Sequence, residues 1–510
     1  MKKSAVAVAV IVVLGAAWTG ASWYTGTLLE ERMAGEVTKA NDAITQYFPK
    51  AGVKLSYEDY QRHLFSTDVR FTLQADPAFK GESALKPDQK IVLKEAIDHG
   101  PFPLSQLKRF NLIPSMASVH TELENTPAVK AIFDATKGQS PFDINSRIAY
   151  SGDTSSRIDF VPVDFVKDKT SIKFSGATID ADVGRDLSAM KMTIASDSLF
   201  ISAPNQHGET ENLTLQGLSL DNDTKLGKFG LSTGTQKILV KKLNLGIDGQ
   251  DGVQLENFAL DGIVNDGSEN DINGALTYTL DAFKIKDQDF GSGKANIKFS
   301  GIDGAQLKKF SEQYNALVTT MLAKGENIDP DAYQEQVIAL LGQNLPALLA
   351  SKPTIQLQPL SWKNSQGEST FTLDITLNDP QKGTRPELGM LNAIGKLDAA
   401  LNLSVPMATQ WVKQSGEMMG YSGEDAASLA QEKVDSLAAM GEMFKLTKKQ
   451  DNSIISTLHY ADGVIDLNGQ KMSAEELLQM MMSQPEGFEQ APDDAAPEQT
   501  QPSIAVPPAN

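Results

Sequence analysis

The sequence predicts an α+β protein: a predominantly antiparallel β meander of repeated β units, with two helical hairpin insertions and an N-terminal transmembrane helix. Three observations carry this. A charge-free run from Ser4 to Leu29 follows Lys2 and Lys3. From about residue 50 the apolar period changes from helical to two, and two stretches in the second half return to helical spacing.

The opening run is strongly apolar from Ala5 to Trp18 and continues into Trp23-Tyr24. About 20 residues at 1.5 Å each cross a hydrocarbon core of about 30 Å, so residues 5–24 are long enough to hold a membrane. Lysines before the run and Glu30-Glu31 behind it point the N-terminus to the cytoplasm and the remaining chain outside. Trp18, Trp23 and Tyr24 suit the outer interface. The competing reading is a cleaved secretory signal, with small residues at Gly15/Ala17 or Thr19/Ala21. Apolar character running past those sites favours an uncleaved anchor at 1–27. Leu29, Met33, Val37, Ala40, Ile44 and Tyr47 then recur at helical spacing, which predicts a stalk over 28–49 that ends at Pro49.

Alternation is faultless from Thr370 to Asn378, and recurs in Leu243/Leu245/Ile247, Leu276/Tyr278/Leu280, Ala295/Ile297/Phe299 and Leu397 to Val405. One wet and one apolar face argues for antiparallel sheet. Turn signals punctuate it at Asp248-Gly249, Asp251-Gly252, Asp266-Gly267, Asp303-Gly304, Asp462-Gly463 and Asn468-Gly469. Ile-Lys-Phe-Ser-Gly occurs at 172–176 and again at 297–301, consistent with repeated units. The β-rich domain is expected over 50–484, with a division into 50–290 and 291–484 left open.

The first insertion places Leu307, Phe310, Tyr314, Leu317 and Met321 on one helix face. A second helix follows, with Asp329 as cap and Pro330 in its first turn. The second insertion carries Met407, Trp411, Met418 and Met419, then Ser422 as a cap before Leu429, Val434, Leu437, Met440 and Phe444. A short capped helix is expected from Ser473 through Met480–Met482. Residues 485–510, rich in Pro, Gln and acids, have no periodic apolar face and read as disordered.

Among 510 residues, 46 Lys+Arg oppose 65 Asp+Glu, a net charge of −19, which argues against nucleic acid as a partner. The absence of cysteine removes disulfides, thiolate metal sites and Cys nucleophiles. The five histidines, His63, His99, His120, His207 and His459, form no metal-binding spacing, and no cofactor or metal is expected. Carboxylate pairs such as Glu95/Asp98 and Asp180/Asp182 could serve a glycosidase, but nothing marks either as desolvated. Gly230-Leu231-Ser232-Thr233-Gly234 matches a hydrolase elbow, and only His459 lies downstream as its base. The polar residues before it and the strand-like Gln236–Val240 after it favour a β-turn. The methionines of the second insertion fill a core or line a pliable surface.

Several segments in order resemble the YdgA-like family of Gram-negative bacterial proteins. They are Trp18 with Trp23-Tyr24-Thr25-Gly26, Tyr60-Gln61-Arg62-His63-Leu64-Phe65-Ser66, His99-Gly100-Pro101-Phe102-Pro103, Leu360 through Ser369, and Leu467-Asn468-Gly469. The family more often has Gly where this chain has His63, which speaks against a catalytic role for it. The resemblance implies a single-pass inner-membrane protein with a large periplasmic domain, self-association, and no established activity.

The expectation is therefore non-enzymatic: a periplasm-facing module, tethered in the inner membrane, that supports envelope assembly or maintenance. It would act through contacts with envelope proteins or by sheltering phospholipid in a β groove, with no catalytic residue assigned. Alternatives are a periplasmic serine hydrolase using Ser232 and His459, and a self-associating scaffold.

Overall fold

The computed structural model describes residues 2–205, 207–268, 270–324, 330–380, 392–461, 463–473 and 476, with backbone alone at 2–15, 251, 322–324, 330 and 331. Helix α1 (Lys2–Tyr47) is continuous through the expected anchor and stalk. Among the described residues no helix is long and apolar enough to cross a membrane. The side chains of residues 5–15, on which most of the expected span rests, lie outside that description, as do Asp329, Met480–Met482 and the tail 485–510.

Among the described residues twenty-two strands follow. The first group is β1 (Val53–Arg62), β2 (Ser66–Ala75), β3 (Lys90–His99), β4 (Ala117–Leu123), β5 (Phe142–Ile148), β6 (Thr154–Phe160), β7 (Val163–Lys167), β8 (Thr170–Phe174) and β9 (Ala177–Val183). Two short helices, α2 (Leu104–Lys108) and α3 (Lys130–Ala135), interrupt them. Long strands come next: β10 (Ala189–Pro204), β11 (Thr210–Leu226), β12 (Ser232–Ile247), β13 (Gln250–Asp266), β14 (Asp271–Ile285) and β15 (Gln288–Asp303). The expected hairpins are α4 (Gly304–Lys324) with α5 (Pro330–Leu349), and α6 (Val405–Met418) with α7 (Gly423–Met443). Between them lie β16 (Thr354–Asn364), β17 (Gly367–Leu377) and β18 (Ile394–Ser404), and β19 (Lys448–Gln450), β20 (Ser453–Ala461), β21 (Val464–Leu467) and β22 (Gln470–Ser473) close the chain.

All pairings are antiparallel and nearly all join neighbours in sequence. The β7–β8 hairpin stands beside β9, so β10 pairs β9 along its first half and β8 along its second. β15 crosses the possible division at 290/291 and pairs with β14 on one side and β16 on the other, so the sheet is continuous there.

Local chemistry explains the punctuation. Asp248 and Gly249 both take left-handed φ (51° and 77°), as do Asn468 and Gly469 (56° and 84°), which suits tight hairpins. Two expected turns are corrected. Asp251-Gly252 falls inside β13 at a register shift against Leu245/Gly246. Asp303 caps α4, its carboxylate accepting the Gln306 N–H at 2.9 Å. Ser422 caps α7 as expected, accepting the Asp425 N–H at 3.2 Å. Gly416 lets α6 approach Ala426 closely, and Ala426 and Ala430 are fully buried.

Buried clusters lie towards the ends of the sheet, and Ile272, Ala282 and Phe290 are buried on β14 and β15. Val69, Ile97 and Ala117 pack with Leu29 of α1. Leu123, Val129 and Phe133 join α3 to Leu93 and Phe142. Ile465 and Leu467 pack with Leu446 beyond α7.

Candidate functional site

The widest feature of the molecule is an apolar row that crosses the sheet at right angles to the strands. Directly paired residues in an antiparallel ladder share a face. Ile144 pairs with Ile158, Ile158 with Ile179, and Ile179 with Ile194. The row continues through Leu220, Ile238, Leu260 and Tyr278. It ends through Ala295, Leu360, Phe371 and Leu401 on β18. At about 4.8 Å per strand the row is roughly 50 Å long. None of its members is buried.

The next residues along the strands face the other way and are polar. His120, Asn145, Arg157, Asp180, Thr193, Asp221, Lys237, Asp261, Thr277 and Asn296 form an equally continuous ladder. Arg157 meets Asp180 at 3.5 Å, and Lys237 meets Asp261 at 3.8 Å. The sheet is therefore amphipathic from β5 to β15.

A second apolar row, Leu199–Leu215–Leu243–Leu255–Phe283, runs parallel to the first. Along β11 and β13 the apolar positions change from odd to even numbers at Gly217 (φ 61°) and Asn257 (φ 49°). A left-handed residue there turns the pleat over, so both rows face the same side. Phe283 confirms this by meeting Trp362, two residues beyond Leu360, with ring centroids 6.3 Å apart.

Helices border the apolar face without filling it. At one end Leu29 of α1 covers β2–β4. At the other, Trp411 of α6 packs edge-on against Trp362 at 5.5 Å, and both indole N–H groups donate to the Phe290 carbonyl, at 2.8 and 2.7 Å. α4 reaches back from β15 to touch α1.

The expected hydrolase pair is not brought together. Ser232 opens β12 as an exposed residue paired with Leu226, and a strand rather than a helix follows it, so the elbow geometry is absent. His459 stands on β20, with β13 to β18 between. Its Nδ1 instead faces the Asp398 carboxylate at 2.5 Å. Lys396, at 2.6 Å, and then His459 hold the Asp398 carboxyl below the usual carboxylate range. This group belongs to a polar row, Gln356–Asp374–Asp398–His459–Asp466.

The sequence reading missed a second polar group. His120 lies 3.0 Å from Glu122 through Nε2 and 3.6 Å from Asp143 through Nδ1. These three can converge on one cation. His120-x-Glu122 is the spacing that puts two side chains on one face of a strand and could have signalled it; Asp143 arrives only through β5 pairing. Glu95 is the desolvated acid of the pair weighed earlier with Asp98. It pairs with Val69 and Thr121 on the apolar side, and burial raises its pKa against a hydrogen bond from the Thr121 hydroxyl at 3.2 Å.

The molecule is thus a bordered, single-layer amphipathic β sheet carried on an N-terminal helix. Residues 1–475 match the family described as bacterial protein of unknown function (DUF945), and the chain belongs to that family. It is 40% identical to Protein YdgA of Escherichia coli (strain K12), over 94% of this chain and 97% of that one. It is 29% identical to the Uncharacterized protein YihF of the same strain, over 92% and 97%. An Uncharacterized protein of Haemophilus influenzae is 24% identical over 64% of this chain and 89% of its own. No solved structure matches.

Proposed function

We propose that this protein is a non-enzymatic, membrane-tethered module that shelters phospholipid acyl chains on the apolar face of its sheet, in support of envelope assembly or maintenance. The observation that carries this reading is the row from Ile144 to Leu401, apolar at every strand and buried at none. Apolar surface of that extent on a folded protein is costly in water unless something covers it. An acyl chain occupies about half of a 30 Å bilayer core, so roughly three strand spacings accommodate one.

The tether is the charge-free run behind Lys2 and Lys3, with the bulk of the chain periplasmic at the bacterial inner membrane. α1 passes directly from that run onto the sheet through Leu29, which packs against Val69, Ile97 and Ala117 at the end of the apolar side, so a lipid leaving the outer leaflet is delivered next to the row. Native mass spectrometry of the full chain, released from gentle detergent, tests this. Bound masses matching phospholipid are expected, and a bare protein mass at the mildest activation overturns the reading.

A further inference from the structure

Several turns at one edge of the sheet present apolar side chains to solvent. At the edge where α1 enters, the β1–β2, β5–β6 and β9–β10 turns expose Leu64, Tyr150 and Leu187. At the far edge the turns at Asp248-Gly249, Lys286-Asp287 and Asn364–Gln366 are polar, while Ile132 of α3 is 46% exposed there. Ser22 of α1 fixes which edge is which, since it lies against Gly100 just beyond β3.

The β3–β4 loop at this edge is the most pronounced. Phe110, Leu112 and Ile113 are 93%, 68% and 56% exposed. They are held out rather than left loose. Buried Gln106 donates to the Ser118 hydroxyl at 3.0 Å and accepts from the Asn111 amide at 2.7 Å. Asn111 in turn accepts the Ile113 N–H at 3.1 Å, and the Ser115 N–H donates to the Pro101 carbonyl at 3.1 Å. Phe110 takes a left-handed φ of 56° at the tip, where a bulky residue is unfavourable. Lys108 and Arg109 flank it.

The helix supplies an independent argument. Trp18 packs at a tilt against Phe65 with ring centroids 5.0 Å apart and Ser22 is wholly buried, so the folded domain claims α1 from Trp18 onward. The charge-free residues before it, from Ser4 to Ala17, rise about 21 Å. A hydrocarbon core of about 30 Å leaves a shortfall of roughly 9 Å.

We infer that this edge seats in the surface of the same bilayer, with the β3–β4 loop inserted below the headgroups. Phe110, Leu112 and Ile113 enter the acyl region, and Lys108 and Arg109 meet anionic phosphates. An insertion of about 5–10 Å is typical of interfacial apolar elements and matches the shortfall. This rests on the tethered reading above, and adds a second contact that orients the sheet so its apolar face opens at the membrane.

The chain has no cysteine, so single substitutions accept a fluorophore cleanly. Full-length protein carrying Leu112→Cys, Ser365→Cys or Val10→Cys is reconstituted in phosphatidylethanolamine–phosphatidylglycerol vesicles with nitroxide-bearing lipid. The label at 112 should be quenched several-fold more than that at 365. Quenching at 10 without quenching at 112 overturns the inference and leaves the tether standing. Absence of quenching at both 10 and 112 overturns the two together.

Discussion

The His99 imidazole touches the carbonyl oxygen of Ser22 through Nδ1 at 2.9 Å, joining the end of β3 to α1 across 77 residues of sequence. A carbonyl can only accept, so Nδ1 carries the proton in this contact. Gly26, one helical turn on, lies under the same ring: a Cβ there would stand 2.7 Å from His99 Cε1. The approach of helix to sheet is set by the missing side chain.

Gly26→Ala should therefore destabilise the full chain in detergent by about 1–3 kcal/mol, as overpacking does. Helix propensity alone predicts the opposite sign, a gain approaching 1 kcal/mol. Gly35 has open space where its Cβ would be, so Gly35→Ala should show that gain. Thermal unfolding of the two variants separates packing from propensity, and equal shifts would refute the clamp.

Docking of α1 should weaken in acid. Burial lowers the His99 pKa, opposed by backbone contacts at Ser66 and Ser22 and by Asp98, while Arg62 lowers it further. A depressed imidazole contributes stability above its ordinary value of about 6.5, and this is lost as pH falls towards the folded value. Amide exchange over residues 18–29, corrected for intrinsic rate, should accelerate between pH 7.5 and 5.5 relative to residues 34–45. His99→Asn retains an N–H donor without the titration and should abolish the pH dependence.

Glu95 has the opposite sign. Its raised pKa means the folded state favours the protonated acid, so its favourable contribution is present below about 4.3 and disappears as pH rises through the folded value. Glu95→Gln keeps an acceptor for Thr121 and removes the buried charge. The variant should melt higher than the parent at pH 7 and equally at pH 4. A parent that melts higher at pH 7 would show that the carboxylate is stabilised by something other than these neighbours.

The sheet was legible wherever a single strand carried the whole signal. Thr370 to Asn378 alternates because each side chain faces one side of a pleat, and β17 formed there. Ser422 and the hairpin turns at Asp248 and Asn468 were equally local. What escaped reading depends on partners far along the chain. Asp251-Gly252 resembles a turn, but the tighter turn one step earlier had already set the register. The parity change at Gly217 and Asn257 looks like broken alternation in each strand, and only lateral pairing shows that both halves keep one apolar side. Trp18 suits an outer membrane interface by sequence, and nothing local announces that it meets Phe65 or that Ser22 meets His99. The polar group at His120 needed β5 to bring Asp143 alongside.

The amphipathic sheet makes one further demand that a filled core would not. Leu220 sits mid-row on β11, flanked by Ile194 and Ile238, and Ser219 beside it faces the polar ladder. Because Leu220 is already partly exposed, Leu220→Asn should cost only about 1 kcal/mol of stability, as ordinary substitutions do. Its amide, however, would interrupt the apolar strip at its centre, and an acyl chain lying there would have to desolvate it without a partner. Phospholipid retained by the full chain should therefore fall severalfold in Leu220→Asn, with the melting temperature little changed, while Ser219→Asn should leave both alone. Lipid extraction and phosphate analysis of the purified variants measures this. Equal lipid in the two variants would place any bound phospholipid elsewhere on the molecule, and a large loss of stability in Leu220→Asn would mean the row is a buried core after all.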